Sequence, residues 1–250
     1  MKKNEQKVII IMRHGERIDF PDKINYEEKR KLNKNDPELT KRGIFQSKNI
    51  GEQILKRLDI NLSEINLFIS PFTRTIMTSL NVIKKLKEKF NSIIINYYII
   101  KDLSEYLSER MFSEFSFKDL LYYNHNNKEL QKLYEEFISM NNKIEFKELF
   151  NDSITVKYPE KFKDGIKRYE NLSDKILEFI KKKTNNNSIN IIVSHGYGVQ
   201  IITTKLFESD CINGKEALKK EVFVVDFCTS YCFNLEKNKL KYIGDMNPIE

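Results

Sequence analysis

The 250-residue chain contains no tryptophan and few cysteines, histidines, prolines or glycines. Its three cysteines are Cys211, Cys228 and Cys232, an odd number that is not typical of the disulfide scaffolds of small secreted domains. Cys228 and Cys232 lie in one strand-like run, where four residues span ~13 Å, whereas the Cα atoms of a disulfide lie within ~7 Å. We therefore expect reduced cysteines and a cytoplasmic protein.

Long apolar runs are also missing. None approaches the ~20 residues of a membrane-spanning helix, and the N-terminus leads only into the short run Val8–Met12, so we expect neither membrane insertion nor export. The three histidines, His14, His125 and His195, and the three cysteines show no spacing typical of a zinc site. We expect no metal and no other cofactor.

Charge is plentiful but mixed. Charged residues make up 32% of the chain and the net charge is +7, with lysine and glutamate interspersed. Such a mild excess favours anionic ligands. Because no basic and aromatic motif is present, a nucleic-acid partner is not expected. The hydrophobic fraction of 40% is sufficient for the core of one domain over residues 1–250.

Strand-like and helix-like periodicities alternate along the chain. The predicted strands before the C-terminal tail are Val8–Met12, Leu67–Ile69, Ile93–Ile100 and Ile189–Val193. Ser70 and Pro71 predict the N-cap and first position of one helix, and further helices are expected around Gly165–Lys183 and through Val199–Phe207. This alternation predicts an α/β fold, a three-layer αβα sandwich with a mostly parallel sheet.

Two regions depart from the alternation. The tail predicts strands at Val222–Phe227, Tyr231–Leu235 and Leu240–Ile243, the last two forming a hairpin that adds an antiparallel edge to the sheet. An exposed edge strand would also permit a homodimer. Residues from about 110 to 158 are rich in Phe, Tyr, Glu and Lys, and we interpret them as a helical cap insertion.

Polar residues follow each of the four strands that precede the tail. His14 and Arg13 come at the end of the first strand and His195 after the fourth, while Arg74 and Glu105 follow the second and third. Ligands of open parallel sheets bind beyond the carboxyl ends of the strands, so we expect these side chains to converge on one crevice.

The chemistry of this set suits phosphoryl transfer. Arg13, Arg17 and Arg74 could together neutralise a phosphate dianion. A helix N-terminus after His195 would add backbone N–H donors, and Gly196 is expected to contact the phosphate there. A neutral imidazole is a competent nucleophile towards phosphorus, a second imidazole can stabilise the transition state, and a carboxyl group can protonate the leaving oxygen.

Four motifs in this order resemble the histidine phosphatase superfamily, also called phosphoglycerate mutase-like. They are R-H-G-E at Arg13–Glu16, D-P-x-L-T-x-x-G at Asp36–Gly43, S-P-x-x-R-T at Ser70–Thr75, and S-H-G at Ser194–Gly196. The resemblance implies nucleophilic attack by His14, a phosphohistidine intermediate, phosphate ligation by Arg13, Arg74 and His195, and proton donation by Glu105.

Within that superfamily the chain is more similar to the phosphatase branch than to the true mutases. It has no tryptophan and no match to the mutase pattern E-R-x-Y-G-x-L around Glu105. Arg17, followed by Asp19, is similar to the protein-tyrosine-phosphatase-like domains of the ubiquitin-associated SH3 proteins. That likeness implies a phosphate contact for Arg17 as well.

We therefore expect a metal-independent phosphatase acting on a phosphorylated small molecule or a phosphoprotein. Three alternatives stay open at this point: a 2,3-bisphosphoglycerate-dependent phosphoglycerate mutase, a non-catalytic phosphate-binding domain, and proton donation by Glu109 or Glu114 in place of Glu105. Glu16 is expected to orient its loop, and His125, between two asparagines, is expected to lie in a solvated loop.

Overall fold

The computed structural model describes residues 7–19, 35–57, 62–90, 92–128, 130–133, 135, 146–148, 156–210, 225–235 and 239–244. Its strands are β1 (Lys7–Arg13), β2 (Glu64–Ile69), β3 (Ile94–Ile99), β4 (Phe146–Glu148), β5 (Ser188–Ser194), β6 (Ser230–Asn234) and β7 (Lys239–Gly244). Its helices are α1 (Lys41–Arg57), α2 (Thr73–Lys87), α3 (Phe117–Asn126), α4 (Phe162–Lys183) and α5 (Gly196–Asp210), with one 3₁₀ turn at Lys101–Leu103.

The described strands form one sheet in the order β4-β3-β2-β5-β1-β6-β7. The four pairs from β4 to β1 are all parallel. Strand β6 is antiparallel to β1, and β7 is antiparallel to β6, so the hairpin closes one edge. The predicted parallel sheet with an antiparallel C-terminal edge is confirmed.

Helices cover both faces of the sheet. Along β1, Ile10 and Met12 join a core that contains residues of α1 and α2, whereas Ile9 and Ile11 join a core that contains residues of α4 and α5. Successive residues of a strand point to opposite faces, so a strand buried on both sides must be apolar at every position. This explains the unbroken run in β1 and confirms the three-layer αβα architecture.

The segment predicted to form a helical cap, about residues 110–158, contains more than helices. It includes α3, and its residues Phe112, Leu120 and Val156 pack in one hydrophobic cluster with Phe72, which precedes α2. It also supplies β4, which pairs in parallel with β3 and lengthens the sheet. The short strand carries no marked alternation, so the sequence did not show it. The division into one domain with a cap at about 110–158 stays a prediction.

The segment before β6 differs from the predicted strand Val222–Phe227. Residues 225–227 are irregular, and residues 222–224 lie outside the described part of the chain. Instead of pairing in a sheet, the Val225 carbonyl accepts a hydrogen bond of 2.6 Å from Arg13 Nη1. Cys228, with a positive φ of 59°, ends the turn, and both it and Cys232 are buried and form no disulfide within the described part of the chain. Cys211 lies outside the described residues.

None of the helices in the described ranges combines the length and the apolar character needed to cross a membrane.

Candidate active site

The carboxyl ends of four adjacent strands bring the predicted site residues together. In the sheet, β3, β2, β5 and β1 are neighbours, and the residues that follow them carry Glu105, Arg74, His195 and His14. The His14 N–H donates to the Ser194 carbonyl over 3.1 Å, which joins the end of β1 to the end of β5. All four residues are at most 5% exposed.

His14 has one ring nitrogen bonded and one unbonded. Its Nδ1 lies 2.8 Å from the carbonyl oxygen of Gly15, an atom that can only accept a hydrogen bond. Nδ1 therefore carries the proton, and Nε2 carries the lone pair. Nε2 is buried and has no hydrogen-bond partner among the described residues. This is the tautomer that a nucleophilic imidazole requires.

The charge around His14 keeps its ring neutral. Burial, followed by the positive charge of Arg74 and the proximity of His195 and Arg13, lowers its pKa well below the usual value of 6.5. A neutral ring retains its lone pair at physiological pH, so the site favours the reactive form of His14.

His195 lies beside His14, with 5.3 Å between the ring centroids in an edge-to-face arrangement. Its Nε2 lies 2.9 Å from Ser70 Oγ, and its Nδ1 lies 3.2 Å from both Arg74 Nη2 and Glu105 Oε2. Burial lowers its pKa to about 4, against the opposing pull of Glu105. Both ring nitrogens thus have protein partners, in contrast to Nε2 of His14.

Glu105 reaches the same pocket. Although burial by itself would raise the pKa of this carboxyl group, its interactions with His195, Arg74 and Arg13 hold the pKa well below the usual range. One of its carboxylate oxygens lies within 4.8 Å of one ring nitrogen of each histidine. Glu109 and Glu114 are exposed, so the structure brings Glu105, and neither of the alternatives, into the buried pocket.

Arg74 is held by Asp36. Its Nη1 lies 3.3 Å from Asp36 Oδ1, and both groups are at most 1% exposed. The same carboxylate accepts the Thr73 backbone N–H at 2.9 Å and the Thr73 hydroxyl at 2.7 Å. Asp36 therefore caps the N-terminus of α2 from a distant part of the chain.

This arrangement corrects the predicted start of α2. The helix begins at Thr73, two residues after Pro71, and its N-cap position is Phe72, which makes no side-chain cap. Ser70 is not an N-cap; its hydroxyl turns to His195 instead. Local sequence could not show this, because the capping group comes from residue 36.

Arg13 lies on the other side of the pocket. Its guanidinium stacks on the Phe227 ring at 4.2 Å, and it lies next to Gly196 at the start of α5, where an added Cβ would be 3.9 Å from Arg13 Cζ. Phe227 also contacts the His14 ring, with 5.7 Å between centroids. No local sequence signal marks Phe227, since its position depends on the turn before β6.

Arg17 lies near the pocket with a partner of its own. Its Nε and Nη2 bond the two carboxylate oxygens of Asp19 at 2.8 and 2.7 Å, and its backbone forms a bridge with Leu39. Burial lowers the pKa of Arg13, and the charge of Arg17 adds to that effect. Arg17 is thus close to the other two guanidiniums, and its Nη1 takes no part in the pair with Asp19.

The D-P-x-L-T-x-x-G stretch packs α1 against the loop that follows β1. Thr40 Oγ1 accepts the N–H of Gly43 at 2.9 Å and donates to the Glu16 carboxylate at 2.9 Å. A Cβ on Gly15 would lie 2.5 Å from the Gly43 carbonyl oxygen, so the two backbones touch. Glu16 therefore orients its loop, as the sequence suggested.

Three buried nitrogen atoms in this pocket have no hydrogen-bond partner among the described residues: Nε2 of His14, Nε of Arg13 and Nε of Arg74. A buried polar atom without a partner costs free energy, about 1–3 kcal/mol per group. Two of the three are N–H donors on cationic groups. An anion with several acceptor oxygens would satisfy them.

A metal ion suits the pocket less well. One ligand atom from each of His14, Glu105 and His195 lies within 4.8 Å of the others, which is a geometry that could hold a cation. However, Arg74 and Arg13 are close enough to lower the pKa of His14. Their positive charge opposes a second cation and attracts an anion. The side chain of His125 is not described.

Together, the mostly parallel sheet and a buried histidine pair flanked by guanidinium groups define an α/β protein with a positively charged pocket at the carboxyl edge of its sheet. Residues 9–216 match the family model of the histidine phosphatase superfamily (branch 1), and the chain belongs to that superfamily.

Two phosphatases are among the solved structures to which the chain is similar. The ecdysone phosphate phosphatase from Bombix mori, in complex with tungstate, shares 15% identity over 98% of this chain and 96% of that chain, with a TM-score of 0.62. A mycobacterial glucosyl-3-phosphoglycerate phosphatase shares 13% identity over 94% of this chain and 96% of that chain, with a TM-score of 0.46. Among curated protein sequences, none matches the chain.

Proposed function

We propose that the protein is a metal-independent phosphatase that hydrolyses a phosphomonoester through a phosphohistidine intermediate on His14. The observation that carries the proposal is the buried, unbonded Nε2 of His14 in a pocket with the unbonded Nε–H groups of Arg13 and Arg74. A nucleophile that is kept neutral next to donors for phosphoryl oxygens has the arrangement that phosphoryl transfer requires.

In the first step, Nε2 of His14 attacks the phosphorus atom. The N–P bond forms as the bond from phosphorus to the leaving oxygen breaks, and the electron pair departs with that oxygen. The guanidinium groups of Arg13, Arg17 and Arg74, with the N–H groups at the start of α5, neutralise the remaining phosphoryl oxygens. His195, packed against His14, completes the wall of the pocket.

Glu105 protonates the leaving oxygen. In the free site burial opposes the charge of Glu105, but His195, together with the guanidinium charges of Arg74 and Arg13, outweighs burial and depresses its pKa. A bound phosphate dianion offsets those same guanidinium charges and repels the carboxylate, so binding raises the pKa of Glu105 and favours its protonated form. A substrate that enters as the monoanion brings the proton with it.

In the second step, a water molecule attacks the phosphohistidine. Glu105, now ionised, accepts a proton from that water, the N–P bond breaks, and His14 recovers its lone pair. Inorganic phosphate then leaves. The group that accepts the phosphoryl group in this step distinguishes a phosphatase from a mutase. In a phosphatase it is water, whereas a mutase returns the phosphoryl group to a second hydroxyl of the substrate.

Replacement of the nucleophile tests the proposal. We expect His14→Ala to lower the kcat for an aryl phosphate on the order of 10³-fold or more, since the variant lacks the nitrogen atom on which the intermediate forms. His125→Ala is the matched control, a histidine outside the four motifs, and should retain activity. A chelator should leave the wild-type rate unchanged.

Substantial activity of His14→Ala would contradict the mechanism. Loss of wild-type activity in the presence of the chelator would contradict it as well. Interconversion of 2- and 3-phosphoglycerate in the presence of 2,3-bisphosphoglycerate would instead identify a mutase, and phosphate binding without turnover would identify a binding domain. The substrate class, a phosphorylated small molecule or a phosphoprotein, and a cytoplasmic location belong to the same proposal.

A further inference from the structure

Arg168 on α4 is a buried cation outside the set of residues that contact the phosphoryl group. It is 2% exposed and forms a two-pronged ion pair with Glu160, with Nε to Oε1 and Nη2 to Oε2 both at 2.7 Å. A buried ion pair of this kind is retained at considerable desolvation cost. The role of Arg168 therefore depends on the other groups to which its guanidinium donates hydrogen bonds.

The remaining N–H groups of Arg168 bind the backbone around Glu105. Nη1 donates to the carbonyl of Asp102 at 2.5 Å and to that of Ser104 at 3.1 Å, and Nη2 donates to the carbonyl of Glu105 itself at 3.3 Å. A guanidinium has five N–H donors. Here five acceptors, two carboxylate oxygens and three carbonyls, match all of them.

Other groups hold the same segment on both sides of Glu105. The Tyr169 hydroxyl donates to the Ser104 carbonyl, and the Glu160 backbone N–H donates to the Leu107 carbonyl at 2.8 Å. Glu160 Oε2 also accepts the Leu107 N–H at 3.3 Å. We call Arg168, Glu160 and Tyr169 the α4 clamp.

Glu105 depends on this clamp for its position. It follows the 3₁₀ turn Lys101–Leu103 and lies beyond the end of β3, so no sheet partner holds its backbone. Its carboxylate nevertheless meets Nδ1 of His195 at 3.2 Å within the pocket. Catalytic groups need placement to a fraction of an ångström, and a shift of about 1 Å can reduce the rate about 10²-fold.

We infer that Arg168 is a positioning residue for proton donation by Glu105, a role that rests on the proposed phosphatase function. Through Glu160 and the three carbonyls, it fixes the segment that carries the acid. A lysine in its place keeps the charge but has three donors on one nitrogen, so it cannot reproduce the planar fork.

The test uses the full-length protein and a series of aryl phosphates with leaving phenols of different acidity, from phenol to p-nitrophenol. We expect Arg168→Lys to lower kcat/KM for phenyl phosphate on the order of 10²-fold. For p-nitrophenyl phosphate the loss should be several times smaller, because p-nitrophenolate leaves without a proton. A steeper dependence of log kcat/KM on the leaving-group pKa is therefore the expected signature, as for Glu105→Gln.

Two further variants keep the test independent of folding. Arg168→Met combined with Glu160→Leu removes both charges of the ion pair together, which avoids leaving either one buried alone. It should show the same steep dependence. Arg168→Lys added to Glu105→Gln should cause little further loss on phenyl phosphate, since the acid is already absent. Ile176→Val, in the core of the same helix, is the control for simple destabilisation.

A purely structural role predicts a different result. A smaller folded fraction would lower the activity of the Arg168 variants by the same factor on every substrate. That result, or no loss of activity at all, would overturn the positioning role. If the wild-type protein hydrolyses none of the series, or His14→Ala keeps the wild-type rate, the proposed function fails and the inference with it. If His14→Ala loses activity but the Arg168 variants keep the wild-type dependence on the leaving group, the proposed function stands and only the positioning role of Arg168 is overturned.

Discussion

The reactivity of His14 depends on atoms within a few ångströms of its ring. The Gly15 carbonyl selects the tautomer by accepting the Nδ1 proton at 2.8 Å, while burial and Arg74 lower the pKa of the ring. One contact places the lone pair on Nε2, and the surrounding positive charge keeps a proton from occupying it. A single histidine in solution has neither property, with a pKa of about 6.5.

At the scale of residues, the pKa values predict an unusual titration. Burial lowers the pKa of His195 to about 4 and that of His14 well below its ordinary value, so both rings should be neutral at pH 6. In an NMR titration of the free protein, with signals assigned through His14→Gln and His195→Gln, we expect His195 to titrate near pH 4. Neither ring should show a midpoint near 6.5, and such a midpoint in either would contradict a buried site ringed by positive charge.

At the scale of elements, α2 begins at Thr73 because Asp36 meets its first N–H. The same carboxylate fixes Arg74, so one acidic residue serves both the helix end and the phosphate site. This dual contact explains why an arginine is stable in the first turn of a helix, where the helix dipole disfavours a cation. Burial raises the pKa of Asp36 to about 6, against the pull of Arg74 and Thr73, so it is ionised at pH 8.

Asp36→Asn tests this dual role. The amide would turn an N–H₂ group towards the donors of Thr73 or Arg74 and leave buried donors unpaired. Each unpaired donor lowers the free energy of unfolding by about 1–3 kcal/mol. We expect urea denaturation at pH 8 to show a loss of that order, together with a higher KM for phosphate esters because Arg74 loses its partner. Asp174→Asn, an exposed acid on α4 with a side chain 62% exposed, should change neither quantity. Equal effects of the two variants would argue against the cap.

At the scale of the whole molecule, the sheet order decides which strand ends become neighbours. Strands β1 and β2 are both paired with β5, so segments about 60 residues apart in the sequence flank the strand that leads to His195. Asp36, Glu105 and Asp19 offset part of the positive charge that collects there, and the Nε–H groups of Arg13 and Arg74 have no hydrogen-bond partner among the described residues. Binding of an oxyanion should therefore stabilise the entire fold.

A thermal shift assay with vanadate or inorganic phosphate measures that stabilisation. An anion at about 100 times its Kd adds about 2.7 kcal/mol to the free energy of unfolding if it binds only the folded state. We expect a clear rise in Tm for the wild-type protein and little for Arg74→Met, which removes one of the unbonded donors. A similar rise in both proteins would place the anion elsewhere on the surface.

The sequence by itself determined the layers of the fold and the identity of the central residues. Continuous apolar runs such as Val8–Met12 can be satisfied only with both faces of a sheet covered, and short motifs at strand ends marked His14, His195 and Arg74. These signals are local, since the periodicity of burial and the residue after a strand are readable within a few positions.

Tertiary structure alone decided how those residues work. Asp36 caps a helix that begins 37 positions later, Ser70 turns from a predicted cap to a partner of His195, and Phe227 supports Arg13 from an irregular turn. The α4 clamp joins Arg168 to carbonyl groups more than 60 residues away in sequence. Backbone carbonyls are present at every residue, so only the folded geometry shows which of them a buried guanidinium will bind.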